Sequence, residues 1–293
     1  MKKIIQKAGV LIEALPYFQQ FRNETVVIKF GGSAMEEKKN ADSILTDIIF
    51  MECVGMKPVI VHGGGKAISR RMNAEGIHPA FVKGRRVTDK ASMRIVETVL
   101  NNELNPGLVK TLCANGARAR GLRGQDFIKA AKHFEKDEHG QPIDLGFVGV
   151  PAEVDPEPVL DCLRRGVIAV ITPIGIGPDG NAYNINADDA AAAVASAIKA
   201  KKLVFLSDIP GLLKNPSDPD SIFSTLNVSE VKRLVKSGVI DGGMLPKVNG
   251  GVRALASGVS KVHIIDGRVP HSLLLEIFTD KGIGTEIVHH DRK

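Results

Sequence analysis

One lysine interrupts the apolar run Val26-Val27-Ile28-Lys29-Phe30, and the run breaks on Gly31-Gly32-Ser33. A β-branched segment ending on a glycine pair reads as a buried strand entering a tight loop. Without Cβ atoms, Gly31 and Gly32 let the backbone approach a ligand and turn its N–H groups outward. Burying the Lys29 ammonium is costly unless an anion faces it. The alternative is a buried stem whose charged head reaches solvent.

Four further clusters follow predicted strands, where open α/β sheets place their ligands. His62-Gly63-Gly64-Gly65-Lys66 puts three glycines before a helix, which makes either an anion site of backbone N–H groups or a plain tight turn. It has neither Walker A spacing nor the Gly-x-Gly-x-x-Gly pattern. Gly84-Arg85-Arg86-Val87-Thr88-Asp89 offers guanidinium groups for bidentate carboxylate binding, or a solvated surface pair, with Thr88 or Asp89 suited to cap a helix. Asn184 and Asn186 are two apart and share a side if extended, so their amides could hold an amide-bearing ligand. Asp188 and Asp189 follow, and helix capping is the simpler use of one of these four side chains. Asp241-Gly242-Gly243-Met244-Leu245-Pro246-Lys247 opens another helix with a lysine in its first turn. A cation there opposes the helix dipole, which an anionic partner would explain and a surface lysine would not require.

The elements that must position these residues alternate. Strand patterns at 25–30, 58–61, 117–122, 127–131, 167–171, 203–206 and 262–265 interleave with helical ones at 41–54, 66–75, 89–114, 187–200, 228–237 and 246–257. Such alternation predicts a three-layer α/β/α sandwich around a mainly parallel, open central sheet. No repeat or flexible linker divides the chain, so two lobes, about 25–180 and 181–293, should share one continuous sheet. The first 24 residues look like an addition. Ile4, Ile5, Ala8, Leu11, Ile12 and Leu15 form one face of an amphipathic helix, which Pro16 should stop or kink. That face must pack on its own domain or on a partner subunit.

Composition narrows the ligand class. A net charge of +6 and a pI near 9.2 suit anionic ligands, but scattered Lys and Arg, no Trp and two Tyr give no stacking platform for nucleic acid. No apolar run approaches the roughly 20 residues of a membrane span. Cys53, Cys113 and Cys162 stand singly, which predicts buried reduced thiols in a cytoplasmic protein.

Taken together, Ile28-Lys29-Phe30-Gly31-Gly32-Ser33, Val61-His62-Gly63-Gly64-Gly65, Gly84-Arg85-Arg86-Val87-Thr88, Asn184-Ile185-Asn186-Ala187-Asp188, Ser207-Asp208-Ile209-Pro210-Gly211-Leu212 and Gly243-Met244-Leu245-Pro246-Lys247-Val248 resemble the amino acid kinase family over about residues 25–288. The Arg-Val-Thr and Asn-x-Asn-Ala-Asp motifs point to its branch acting on N-acetyl-L-glutamate in arginine biosynthesis. The resemblance implies transfer of the γ-phosphoryl group of ATP, with Mg2+ held mainly by the nucleotide phosphates, onto the γ-carboxylate of N-acetylglutamate.

Carried over by motif, Lys29 and Lys247 would flank the transferring group, Asp188 would hold both lysines, and Gly32 and Gly64 would donate N–H groups to it. Gly64, Gly65, Arg86, Asn184 and Asn186 would bind acetylglutamate. Gly31, Asp208, Gly211, Leu212, Leu213, Asp241 and Lys247 would border ATP, with no dedicated metal site. The N-terminal helix and the segment 271–285 also resemble arginine-sensitive members, implying a hexamer built as a trimer of dimers and an effector site near Tyr17, His271, Glu276, Gly282 and Gly284. The rival readings are another acceptor on the same fold and a non-catalytic arginine-sensing module. A dinucleotide oxidoreductase lacks its glycine fingerprint here.

Overall fold

The structure, a computed structural model, describes residues 2–215, 217–218, 221–279 and 282–289, and at 2–7, 10, 11 and 33 the backbone alone. Residues 280 and 281 of the segment 271–285 therefore lie outside the described residues, as do 290–293. The strands are β1 (Thr25–Phe30), β2 (Lys57–His62), β3 (Phe81–Val82), β4 (Arg85–Arg86), β5 (Ala119–Leu122), β6 (Ile128–Lys136) and β7 (Pro142–Val154). They continue with β8 (Ile168–Ile171), β9 (Ile174–Ile176), β10 (Ala182–Ile185), β11 (Lys202–Ser207), β12 (Thr225–Asn227), β13 (Lys261–Asp266) and β14 (Thr285–Val288).

Eight strands form one sheet in the order β12-β14-β13-β11-β1-β2-β8-β5, and among these neighbours only β13 and β14 are antiparallel. The mainly parallel α/β sandwich is thus present. The chain builds away from β1 through β2 on one side and returns beside it as β11 on the other, so β1 lies at a topological switch point. Its carboxyl end is where such a sheet opens a crevice.

Alternation along β1 decides which side of the sheet carries the chemistry. Val26, Ile28 and Phe30 are fully buried against the helix Lys38–Cys53 through Ile44, Ile48 and Met51. Val27 faces the opposite layer with the alanines of helix Ala187–Ala197. With a side-chain period of two, Lys29 shares the Val27 face, the one covered by the helix whose first turn holds Asp188. Small alanines let that helix approach closely. Each fully buried Val or Ile of β1 stabilises by about 1.5–3 kcal/mol, which fixes the strand centrally and makes a nearly buried lysine tolerable.

Beside the sheet, β10, β7, β6 and β9 close a small separate barrel, whose long β6–β7 hairpin takes in the expected 127–131 strand. Two expectations are corrected. The first helix, Lys2–Phe21, runs past Pro16 rather than stopping there. Proline removes one helical hydrogen bond, and here the last turn is held by aromatic packing. Phe18 meets Phe50 and Phe278 at ring-centroid distances of 5.9 and 5.4 Å, and Phe21 meets Phe278 at 6.5 Å. The apolar face is divided: Phe21 is buried on its own domain, while Ile12 and Leu15 are exposed. Finally, Cys162 is buried but Cys53 and Cys113 are exposed, because both sit at helix ends outside the core-facing stripe.

Candidate active site

The carboxyl ends of β1 and β2 are packed loop on loop. Gly63 N–H donates to the Phe30 carbonyl at 2.7 Å, and a Cβ built on Gly31 would lie 3.4 Å from Gly63 Cα. Gly32 takes a φ of +64°, a left-handed conformation that suits glycine. Gly64 needs its glycine for contact instead. A Cβ there would come within 2.6 Å of Leu100 Cδ2 and 2.8 Å of Leu104 Cδ1, in the wide π-turn segment Thr98–Leu104.

Beside these loops lies a cavity of about 620 Å³ lined by Lys29, Gly32, Gly64, Gly65, Arg86, Asn184, Asn186 and Asp188, among others. The helices Gly65–Ala74 and Ala187–Ala197 begin at its wall, so their positive dipole ends favour an anion there, and the first turn of Gly65–Ala74 carries no side-chain cap on its N–H groups.

The charged centre is Asp188. Lys29 Nζ stands 3.0 Å from its Oδ1, an ion pair not aligned as a hydrogen bond, and Lys247 Nζ donates to its Oδ2 at 3.1 Å. Burial pushes the Asp188 carboxyl up, but the ammonium groups of Lys29 and Lys247 outweigh this and hold it below the ordinary carboxylate value. One carboxylate thus carries two cations, leaving a net positive charge for an anionic ligand.

Arg86 is buried, and burial depresses its pKa. Its guanidinium donates to Gly65 O and Ser69 Oγ, both at 2.8 Å, and lies over the Phe81 ring at 4.7 Å from the centroid. It therefore ties the β4 loop to the first turn of the glycine-led helix. Asn184 Nδ2 donates to Thr88 Oγ1 at 3.3 Å, and Thr88 Oγ1 donates to Arg86 O at 2.8 Å. Asn186 does not extend the strand beside Asn184. The strand ends at Ile185, and the Asn186 side chain caps the next helix by accepting from Asp188 N and Asp189 N. Asp89 caps the helix Lys90–Glu97.

Of the residues expected to border ATP, Gly31 follows β1 and the others come after β11, and none is part of that cavity wall. Asp208 is exposed, Gly211 packs against Thr285 Oγ1, which also accepts from Leu212 N at 2.8 Å, and Leu213 bridges Ile222. Asp241 precedes the short 3-10 turn Gly242–Met244 that delivers Lys247 to Asp188. Among the described residues, no group of three or more His, Cys, Asp or Glu is arranged to hold a metal ion.

Of the expected effector residues, Tyr17, Glu276 and Gly282 line a second cavity of about 340 Å³, together with Lys202, Lys261 and His263. Glu276 Oε2 accepts from Ile283 N at 2.7 Å and Gly284 N at 3.1 Å, while Oε1 lies 2.6 Å from His263 Nδ1. Burial keeps His263 below its ordinary pKa, so neutral His263 donates to the carboxylate. His271 lies away from this cavity: its ring meets buried Asp47 at 2.7 Å.

Sequence reasoning missed a second charged group. Asp189 Oδ2 accepts from Arg85 Nη2 at 3.0 Å and Oδ1 from Arg253 Nη2 at 2.8 Å, and Arg85 also pairs with Glu135 at 3.4 Å. The neighbouring Asp188-Asp189 and Arg85-Arg86 pairs were the available signal.

The amino acid kinase family profile matches residues 24–266. The acetylglutamate kinase of Heliobacterium modesticaldum is 48% identical over 294 residues, taking in 98% of this chain and 100% of the relative. N-acetylglutamate synthase from Neisseria gonorrhoeae, complexed with coenzyme A and N-acetyl-glutamate, superposes with a TM-score of 0.84 at 27% identity, covering 97% of this chain and 64% of that one. The chain thus spans just under two thirds of the synthase's length. The same synthase complexed with coenzyme A and L-arginine gives a TM-score of 0.79 at 27% identity, covering 97% of this chain and 65% of that one.

Proposed function

Because the chain belongs to the amino acid kinase family and, within it, to the acetylglutamate kinases, we propose that the cavity beside Asp188 is where ATP phosphorylates the γ-carboxylate of N-acetyl-L-glutamate. The observation that carries this reading is Asp188 between Lys29 and Lys247, next to the glycine N–H groups.

The acceptor carboxylate is already an anion, so attack on the γ-phosphorus needs no general base. One carboxylate oxygen forms the new P–O bond, the bond to the bridging oxygen of ADP breaks, and an acyl phosphate and ADP result. The obstacle is repulsion. Two unit charges ~4 Å apart oppose each other by about 4 kcal/mol at an effective dielectric near 20. Catalysis is then positioning and charge stabilisation. Lys29 and Lys247 flank the transferring group, Gly32 and Gly64 donate N–H groups to its oxygens, and Asp188 keeps the lysines apart and aimed. Arg86 and Asn184 hold the acetylglutamate end, Arg86 on its α-carboxylate. Gly31, 208–213 and Asp241 border the nucleotide. Mg2+ enters with ATP as part of the substrate, its ligands largely nucleotide phosphates. Residues 25–180 then form the acetylglutamate and dimer lobe, and 181–293 the nucleotide lobe.

Arginine is the proposed feedback inhibitor, bound in the second cavity, where the acids Glu276 and Glu286 suit a guanidinium. The arginine-bound synthase supports this by likeness. The helix Lys2–Phe21 forms one wall through Tyr17 and exposes Ile12 and Leu15, which suit burial between dimers of a hexamer.

The test is ADP production from MgATP with N-acetylglutamate, glutamate, aspartate or UMP as acceptor, with and without arginine. Turnover restricted to N-acetylglutamate and suppressed by arginine is expected. Turnover only with another acceptor would reject the assignment of Arg86 and Asn184.

A further inference from the structure

His62 is fully buried directly before Gly63-Gly64-Gly65, yet it is not part of the cavity wall. Both ring nitrogens are engaged. Nδ1 lies 2.9 Å from the Gly63 carbonyl oxygen. A carbonyl only accepts, so Nδ1 carries the proton. Nε2 is then the acceptor, and Asn105 Nδ2 lies 3.2 Å from it. The same reasoning orients Asn105, whose Nδ2 also donates to the Val170 carbonyl at 2.8 Å. Burial lowers the His62 pKa to about 4, so the neutral ring persists at neutral pH.

The surroundings are shaped for this arrangement. Asn105 follows directly on the π-turn segment Thr98–Leu104, a widened stretch within the continuous helical run from Lys90 to Ala114. A Cβ on Gly121 would lie 2.1 Å from Asn105 Oδ1, so the strand must carry glycine for the amide to reach β8. A hydrogen-bonded path therefore runs from β8 through Asn105 and His62 to the peptide joining Gly63 and Gly64. That peptide is planar and trans, so holding the Gly63 carbonyl sets the opposite direction for the Gly64 N–H. Glycines cannot set that direction themselves, because their backbone is the least restricted.

We propose that His62, anchored by Asn105, is a positioning residue that aims the Gly64 N–H at the anion in the cavity, an assignment that rests on reading the cavity as the phosphoryl-transfer site. The donor matters most when charge develops on the transferring oxygens, so its loss should appear in kcat more than in KM.

Two substitutions separate the roles of the ring. His62→Asn places an amide N–H where Nδ1 stands and keeps the donor to Gly63. His62→Gln places its amide at the Nε2 position, meeting Asn105 but leaving the Gly63 carbonyl unheld. We expect His62→Gln to lower kcat by about tenfold or more, with little change in KM for ATP, while His62→Asn stays near the unsubstituted enzyme. Equal loss in both, equal retention in both, or the reverse order overturns the proposal. An unsubstituted enzyme inactive with N-acetylglutamate would instead reject the reading of the cavity, and the proposal with it. Long-range 1H–15N NMR of the unsubstituted protein at pH 7 tests the same point without relying on a variant's folding. A protonated Nδ1 with an unprotonated Nε2 is expected; the other tautomer or an imidazolium overturns the proposal.

Discussion

Asp188 and Asp189, adjacent in sequence, hold the helix Leu245–Ala256 at two separate points. Asp188 receives Lys247 in its first turn, and Asp189 receives Arg253 in its last turn. Each acid also reaches across the cavity region, Asp188 to Lys29 on β1 and Asp189 to Arg85 on β4. Their likeness in sequence conceals different contacts: the first involves the two lysines proposed for catalysis, and the second joins Arg85 of β4 to Arg253 of the helix Leu245–Ala256.

Substitution should separate those contacts. Lys29→Ala, Lys247→Ala and Asp188→Asn are each expected to lower kcat by about a hundredfold or more, as removal of preorganised charge stabilisation does. Asp189→Asn should lose stability by about 1–3 kcal/mol, with a smaller change in kcat than Asp188→Asn. Steady-state kinetics and denaturant melts of the four variants check this. Near-normal turnover in either lysine variant would reject its role.

Arg86→Ala should raise KM for N-acetylglutamate strongly while leaving KM for ATP close to normal. Arg86→Lys should not restore it. A single ammonium cannot hold Gly65 O and Ser69 Oγ while presenting a planar fork to a carboxylate. Unchanged KM in Arg86→Ala would place the acceptor elsewhere.

The small barrel reaches Thr88, beside the proposed acceptor site, through Gly146. Its φ is +79°, and a Cβ there would lie 2.2 Å from the Thr88 carbonyl oxygen. Thr88 N donates to Leu145 O at 2.8 Å and Thr88 O accepts from Phe147 N at 2.6 Å, so the strand cannot retreat without losing both bonds. Gly146→Ala is expected to destabilise by about 1–3 kcal/mol and to raise KM for N-acetylglutamate by shifting Thr88 and its partner Asn184. Thermal melts and kinetics read the two effects separately.

Legibility in the sequence followed the range of the interaction. β1, β2 and their glycine loops could be read because an apolar run ending on glycine is a local signal, and so could the Ala-rich helix. β9, β10, β12 and β14 are three or four residues long, too short to show alternation, and they exist because distant strands pair with them. Asn186 misled because two residues apart share a side only if the strand continues, whereas it ends at Ile185 and the amide serves as a cap. Asp188 between two lysines came from family likeness. The Arg85–Asp189–Arg253 group and the Asn105–His62 contact carry no local pattern, since their partners meet only in the fold.

Removing residues 1–24 should leave dimers that still turn over but respond weakly to arginine. The helix Lys2–Phe21 contributes Tyr17 and Phe21 to the second cavity, the proposed effector site, and carries the exposed Ile12 and Leu15. Sedimentation of the truncated chain, with arginine titration of its activity, tests this. A hexamer that survives the deletion would reject the helix's role in assembly.

Acid sensitivity should trace in part to His62. Burial lowers its pKa from 6.5 to about 4, so the folded chain refuses a proton that the unfolded chain accepts. Above pH 6.5 neither state binds that proton and the contribution to stability is complete. Between 6.5 and about 4 the unfolded chain binds more protons, so stability falls as pH falls, by roughly 3 kcal/mol over the whole interval. His263, also lowered by burial, adds a slope of the same sign, whereas the depressed carboxyls of Asp188 and Glu276 lose their contribution at lower pH. Urea midpoints from pH 4 to 7.5 should therefore slope less steeply in His62→Asn than in the unsubstituted protein, with the difference confined to the acid side of pH 6.5. Parallel slopes would mean that His62 titrates alike in the folded and unfolded chains.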